Sequence, residues 1–271
     1  TVATTVAPVV NFTLGLKPTK TVMDAVLKVD KHRTFPKYAS KTFEKWYKKN
    51  VAAFQNSFPR HVSMFHGCYV NYNYPQLGKD LVSVMNALGY GVHLLENEKC
   101  CGTALISNGM IDQAKRNAAN NIESMRKSVY ERQMPVISTS SSCTFTMRDE
   151  YPHLLGVKNE DVRDYIELAT RFIYKLIDQD KVKLVFKKGY KAKVAYHTPC
   201  HMERLGWGIF STELIKMIPG VELTVLDSNC CGIAGTYGFK KENYEVSQAI
   251  GKPLFDQIAK LKPDYVACDC E

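Results

Sequence analysis

Eight of the nine cysteines in this 271-residue chain fall into one pattern that occurs twice. Cys68, the pair Cys100-Cys101 followed by Gly102, and Cys143 make the first copy; Cys200, the pair Cys230-Cys231 followed by Gly232, and Cys270 make the second. The lone cysteine precedes the pair by 32 residues and by 30, and the pair precedes the last cysteine by 42 and by 39. Thiolate is a soft ligand that suits iron–sulfur clusters, zinc and copper(I). Adjacent cysteines do not easily share one small ion in an unstrained tetrahedron, and structural zinc sites space their ligands by two to four residues. A cluster of several irons accepts both members of a pair. Two matched constellations therefore point to iron, sulfur and electron transfer rather than to buried thiols acting as small apolar residues.

The mismatch of three between 42 and 39 is informative. If each copy ends in Cys-x-x-Cys, the first ends at Ser140-Ser141-Ser142-Cys143, with Ser140 in the earlier position. The second then begins its ending at Cys270, and the partner of Cys270 is expected beyond Glu271. Cys268 is assigned to the last strand as a core residue, outside the site.

Gly102 and Gly232 follow the pairs, where a bare backbone permits positive φ or close approach to a metal site, and each is expected to open a helix. Helix-start N–H groups there are suited to donate to cluster sulfides. His66 precedes Cys68, and His197 and His201 flank Cys200. His66 and His201 are read as hydrogen-bond partners behind the ligands. Gly235 and Gly238 extend the glycine run, without the strand-to-GxGxxG arrangement of a nucleotide loop.

Strand and helix patterns alternate around these residues. HVSMF, VHLLE and PVIST read as strands in the first copy, and KVAYHT, ELTVLDS and YVACDC in the second. Helical stretches lie between them, and NEDVRDYIELATRFIYKLIDQ reads as one bridging helix. Such alternation predicts an α/β fold of two Rossmann-like repeats related by a pseudo-twofold, with ligands beyond the carboxyl ends of parallel strands. The expected organisation is a basic, partly helical segment over 1–60, a first repeat over 61–157, and the bridging helix with the second repeat over 158–271.

Of the net charge of +9, most lies early: between Lys17 and Lys49, ten Lys and Arg face only Asp24, Asp30 and Glu44. A helix through KTFEKWYKKNVAAF gathers Phe43, Trp46, Tyr47, Phe54 and Phe58 near one side. That face is expected to pack on the following domain, leaving the lysines for an anionic membrane surface or an acidic partner. No nucleic-acid partner is expected. Hydrophobic residues make up 45% of the chain, enough for a full core. No run of about 18 apolar residues occurs, and the opening TVATTVAPVV lacks the basic region of a signal peptide, so membrane contact is expected to be peripheral. A chain of this size needs no disulfide framework, and a reducing, cytoplasmic setting is expected.

The Cys, CCG, Cys arrangement in duplicate resembles the CCG-type cysteine-rich domain of heterodisulfide reductases and related respiratory complexes. FHGCYVNYNYPQLGKDL, EKCCGTALISNG, YHTPCHMERLGW and LTVLDSNCCGIAGTYGF carry the resemblance. It implies an iron–sulfur electron-transfer subunit with flavoprotein dehydrogenase partners, menaquinone as the quinone acceptor, and a place at the cytoplasmic face of the bacterial inner membrane. By the same resemblance, Cys200, Cys230, Cys231 and Cys270 hold a 4Fe-4S cluster, noncubane in form, together with a fifth cysteine. Cys68, Cys100, Cys101 and Cys143, with Ser140 in place of the fifth, hold an ordinary cluster or zinc. A cluster-based thiol or heterodisulfide reductase and a zinc-stabilised docking scaffold are the competing readings.

Overall fold

A computed structural model describes residues 2–270. The expected partner of Cys270 lies outside them. The chain is α/β with two parallel sheets, each carrying one copy of the cysteine pattern. The first sheet comprises β1 (Arg60–Phe65), β2 (Tyr90–Leu94), β3 (Val136–Ser138) and β4 (Ile166–Leu168), in the order β2-β1-β3-β4. The second comprises β5 (Ala192–Tyr196), β6 (Val221–Val225) and β7 (Tyr265–Ala267), in the order β6-β5-β7. The order β6-β5-β7 repeats β2-β1-β3, as the duplicated sequence requires.

Alternation along β1 explains the layering of the first repeat. Val62 and Met64 face one core with Leu81, Val82 and Met85 of the helix Pro75–Ala87 and Phe172, Ile173 and Leu176 of the helix Ala169–Asp178. Phe65 faces the other core with Ala114, Ala118, Ile122 and Met125 of the helix Ile111–Arg126. Helices thus cover both faces, and the strands read as near-continuous apolar runs.

The stretch expected as one bridging helix is a strand followed by a helix. Ile166–Leu168 pairs with β3, and only Ala169–Asp178 is helical. Ile166 and Leu168 are buried and satisfy the outer edge of β3, so tertiary pairing overrides the helical periodicity. Residues 166–178 therefore complete the first repeat, which moves the expected boundary at 157. The matching outer edge of β7 has no partner strand among the described residues, and Tyr265 and Val266 are exposed.

The opening segment is more ordered than its composition suggests. Ala7–Gly15 and Lys17–Val26 are helices, the break between them falling at Leu16 ahead of Lys17-Pro18. The aromatic helix is Phe43–Asn50, capped by Thr42, whose hydroxyl accepts the Lys45 N–H at 3.2 Å. Phe43 and Tyr47 are buried in the first core, as the packing reading expects, so this face is not free to lie in a membrane. The Tyr47 hydroxyl donates to the Val92 carbonyl at 2.6 Å, and the buried Gln55 side chain accepts the Val92 N–H at 2.8 Å. These side chains satisfy the open edge of β2. No helix is long and apolar enough to cross a membrane among the described residues.

Candidate metal centre

Each strand-end loop delivers part of a thiol cluster. In the first repeat, Cys68 follows β1, Cys100 and Cys101 follow β2, and Cys143 follows β3. Cys101 and Cys143 are buried, Cys100 is half-buried and Cys68 is exposed. The thiols interact with one another: hydrogen bonds from Cys101 and Cys68, aided by the Gly102 N–H, pull Cys100 strongly toward thiolate. The buried Cys101 is pushed well up as their partner, through Cys100, Cys143 and desolvation. Gly102 adopts φ +104 and opens the helix Thr103–Ser107, the positive φ that the pair-glycine motif calls for.

A buried carboxylate fixes the approach to Cys68. Glu98 accepts the backbone N–H of His66 at 3.0 Å and of Gly67 at 2.9 Å. His66 Nδ1 lies 3.0 Å from the Gly67 carbonyl oxygen and 3.2 Å from Glu98 Oε1, both acceptors, so this nitrogen carries the proton. Burial holds His66 below the usual imidazole value. His66 therefore braces the loop rather than facing the thiols as expected. Glu98 was not legible as a site residue, since a lone Glu between two strands carries no spacing signal. Glu98→Ala is expected to lower unfolding stability by about 2–4 kcal/mol, from two charge-assisted bonds to buried N–H groups; urea titration of the purified chain checks it. The cleft outside Glu98, of about 750 Å³, is lined by Cys68, Cys100, Lys48 and Lys99.

In the second repeat, Cys200 follows β5, Cys230 and Cys231 follow β6, and Cys270 follows β7. Burial raises all three of Cys200, Cys231 and Cys270, the last to about 12, and each is raised further by the charge of neighbouring second-repeat cysteines. These thiols are protonated near neutral pH, and a bound metal would displace their protons. Gly232 has φ +79 but does not open an α-helix as expected: two short 3₁₀ turns, Tyr237–Phe239 and Lys241–Asn243, precede the helix Tyr244–Leu261. A Cβ on Gly232 would lie 2.0 Å from the Ser247 carbonyl oxygen. Gly232→Ala is accordingly expected to displace the turn and lower metal content of the second site, read by metal analysis, while the first-repeat thiols keep their reactivity.

Strand register tests the assignment of Ser140. Phe65 pairs with Ser138, and Tyr196 pairs with Ala267. Cys68 lies three residues past Phe65 and Ser140 two past Ser138; Cys200 lies four past Tyr196 and Cys270 three past Ala267. The difference is one in both repeats, so Ser140 is the topological counterpart of Cys270. Ser140 is buried, and its hydroxyl accepts the Cys143 N–H at 3.2 Å, capping the helix Ser141–Phe145. The same count pairs Cys268 with Ser138. Cys268 is not core: it is exposed just beyond β7, because the strand ends at Ala267.

The third loops of the two repeats meet. The Ser141 N–H donates to the Asp269 carbonyl at 2.7 Å, and the Ser142 hydroxyl lies 3.3 Å from Cys270 Sγ and 2.9 Å from His201 Nδ1. His201 stacks on Phe145 at 5.0 Å, and burial lowers its pKa. His201 thus stands behind Cys270 through Ser142, a first-repeat residue. Ser142 was missed because nothing in a run of three serines singles one out. Asp269 is buried and its pKa raised by desolvation, with the Tyr196 hydroxyl donating at 2.5 Å.

The donor set of each site is thiols alone, which fits an iron–sulfur group. Among the described residues no three His, Cys, Asp or Glu side chains converge tightly enough to enclose one metal ion. A cluster of several irons spaces its ligands more widely.

Comparison with known proteins agrees. The pattern of the cysteine-rich domain family CCG matches residues 62–148 and 194–271. Over 270 residues, 100% of this chain and 67% of the relative, the chain is 56% identical to a subunit of the anaerobic glycerol-3-phosphate dehydrogenase of Escherichia coli strain K12. It is 30% identical over 251 residues, 89% of the chain and 47% of the relative, to a subunit of the fumarate reductase (CoM/CoB) of Methanothermobacter marburgensis. An uncharacterized iron-sulfur protein of Methanocaldococcus jannaschii is 29% identical over 211 residues, 77% of the chain and 39% of the relative.

Proposed function

The chain belongs to the cysteine-rich CCG domain family, and from that premise we propose that it is the iron–sulfur electron-transfer subunit of a membrane-associated anaerobic sn-glycerol-3-phosphate dehydrogenase. Flavoprotein partners oxidise the substrate, and menaquinone at the cytoplasmic membrane face takes the electrons. The observation that carries this reading is the pair of all-thiol clusters at the carboxyl edges of two parallel sheets, in a chain 56% identical throughout to such a subunit.

A four-iron cluster, when bound, supplies storage for single electrons between a two-electron flavin and a two-electron quinone. Cys200, Cys230, Cys231 and Cys270 would hold the second cluster, and Cys68, Cys100, Cys101 and Cys143 the first. Ser142 holds a hydroxyl at Cys270, where hydrogen bonding favours the reduced form. Gly102 and Gly232 keep side chains away from the paired thiols, and Glu98 with His66 fixes the Cys68 loop. The lysines between Lys17 and Lys49 suit an anionic lipid surface.

Anaerobic reconstitution with iron and sulfide tests the reading. Expected are several irons per chain and a paramagnetic signal on reduction. That signal should be lost on adding a menaquinone analogue with anionic vesicles. Zinc without iron would sink the proposal in favour of a docking scaffold. A signal that responds to disulfide substrates and ignores quinone would replace it with a thiol reductase.

A further inference from the structure

One basic residue of the opening segment stands apart from the rest. Residues 29–33 cross the second repeat at the loop that follows Cys230-Cys231: Val29 bridges to Lys240, the Asp30 N–H donates to the Phe239 carbonyl at 2.9 Å, and Lys241 pairs with Asp24 at 2.5 Å. At the centre of this strap Arg33 is buried, only 8% exposed. Its Nε donates to the Gly238 carbonyl at 2.7 Å and its terminal nitrogen to the Ser247 hydroxyl at 2.5 Å. Ser247 in turn donates to the Gly232 carbonyl at 2.7 Å. Arg33 is therefore two hydrogen bonds from the glycine that follows the cysteine pair.

Its surroundings are short of negative charge. The guanidinium lies 4.8 Å over the Tyr244 ring and 5.9 Å over Phe239, and no carboxylate pairs with it among the described residues. Burying a cation is costly unless an anion faces it, and carbonyls and ring faces recover only part of that cost. A thiolate-bound group at Cys230 and Cys231 would be the missing counter-charge. We propose that Arg33 is a positioning residue of the second cysteine site: it locks the Cys230-Cys231-Gly232 turn through Ser247 and sets a buried positive charge that favours the reduced form of the group held there. The proposal rests on the iron–sulfur reading above.

Three variants, Arg33→Gln, Arg33→Lys and Ser247→Ala, are compared by two readouts. One is the midpoint potential of the reconstituted second-site signal; the other is the maleimide labelling rate of Cys230 and Cys231 in the metal-free chain, mapped by mass spectrometry. Arg33→Gln is expected to shift the potential negative by about tenfold in the one-electron equilibrium, ~59 mV, and to speed labelling. Arg33→Lys keeps the charge and restores most of the potential, but a point charge cannot reproduce the two-pronged contact, so labelling stays fast. Ser247→Ala should speed labelling and leave the potential nearly unmoved. An unchanged potential in iron-loaded Arg33→Gln overturns the electrostatic role, and unchanged labelling in Ser247→Ala overturns the locking role. Wild-type protein that takes up no iron defeats the iron–sulfur reading instead, while the labelling arm still reports on the turn.

Discussion

Cys231→Ala should empty the second site: anaerobic reconstitution is expected to return roughly four fewer irons per chain than the parent. Cys231 comes from the loop beyond β6, is half-buried, and lies close enough to Cys200, Cys230, Cys268 and Cys270 for their charges to interact. Its removal takes one thiolate from the set and leaves Cys200 and Cys270, whose ionisation burial already opposes, with fewer partners to share a metal. Cys268→Ala is the informative control. Cys268 is exposed, its thiol hydrogen-bonds to the Cys270 carbonyl at 3.3 Å, and its first-repeat counterpart is Ser138, the last residue of β3. It lies one step before the ligand loop in register, so its alanine variant is expected to keep the iron. Equal loss in the two variants would make Cys268 a ligand.

The parts of the fold set by local pattern were legible in the sequence. Strands at HVSMF, PVIST and KVAYHT follow from apolar runs with turn residues behind them, and each lies within a residue or two of β1, β3 and β5. The strand at Ile166–Leu168 was not legible, because its apolar residues also fit the helix that follows; only the open edge of β3 decides between them. Within the site, spacing identified the eight cysteines because the pattern occurs twice. Residues that act through tertiary contact carried no such signal. Ser142 reaches Cys270 across 128 residues of chain, and Arg33 reaches Ser247 across 214. Both depend on how the two repeats and the opening segment pack together, which periodicity does not encode.

Ser142 shows how the repeats have become interdependent. A hydroxyl 3.3 Å from Cys270 Sγ can donate to that sulfur, and one such bond contributes about 0.5–1.5 kcal/mol. For a one-electron couple this corresponds to ~20–60 mV. Ser142→Ala is expected to shift the second-site potential negative by that amount without changing its iron content, as potentiometry with spectroscopic detection would show. The first repeat thus serves the second site even where its own ligand set is short.

Ser140→Cys asks whether the first site is short of a ligand only because of that one side chain. The register places Ser140 where Cys270 stands in the second repeat, at the same offset from the entry cysteine. As serine it already serves the backbone, since its hydroxyl caps the helix Ser141–Phe145 by accepting the Cys143 N–H. Sulfur is a weak acceptor, so the metal-free variant is expected to lose about 1 kcal/mol of stability. With iron and sulfide supplied, the new thiol completes the set of Cys68, Cys100, Cys101 and Cys143, and binding to the folded state more than offsets the lost cap. In a Cys231→Ala background, where second-site iron is absent, Ser140→Cys should therefore raise iron retention and the unfolding midpoint together. If the variant loses stability and gains no iron, the serine is a helix cap in a site that needs no fifth thiolate. If it gains both, the two repeats share one ligand plan, and a single hydroxyl bonded to the backbone separates them.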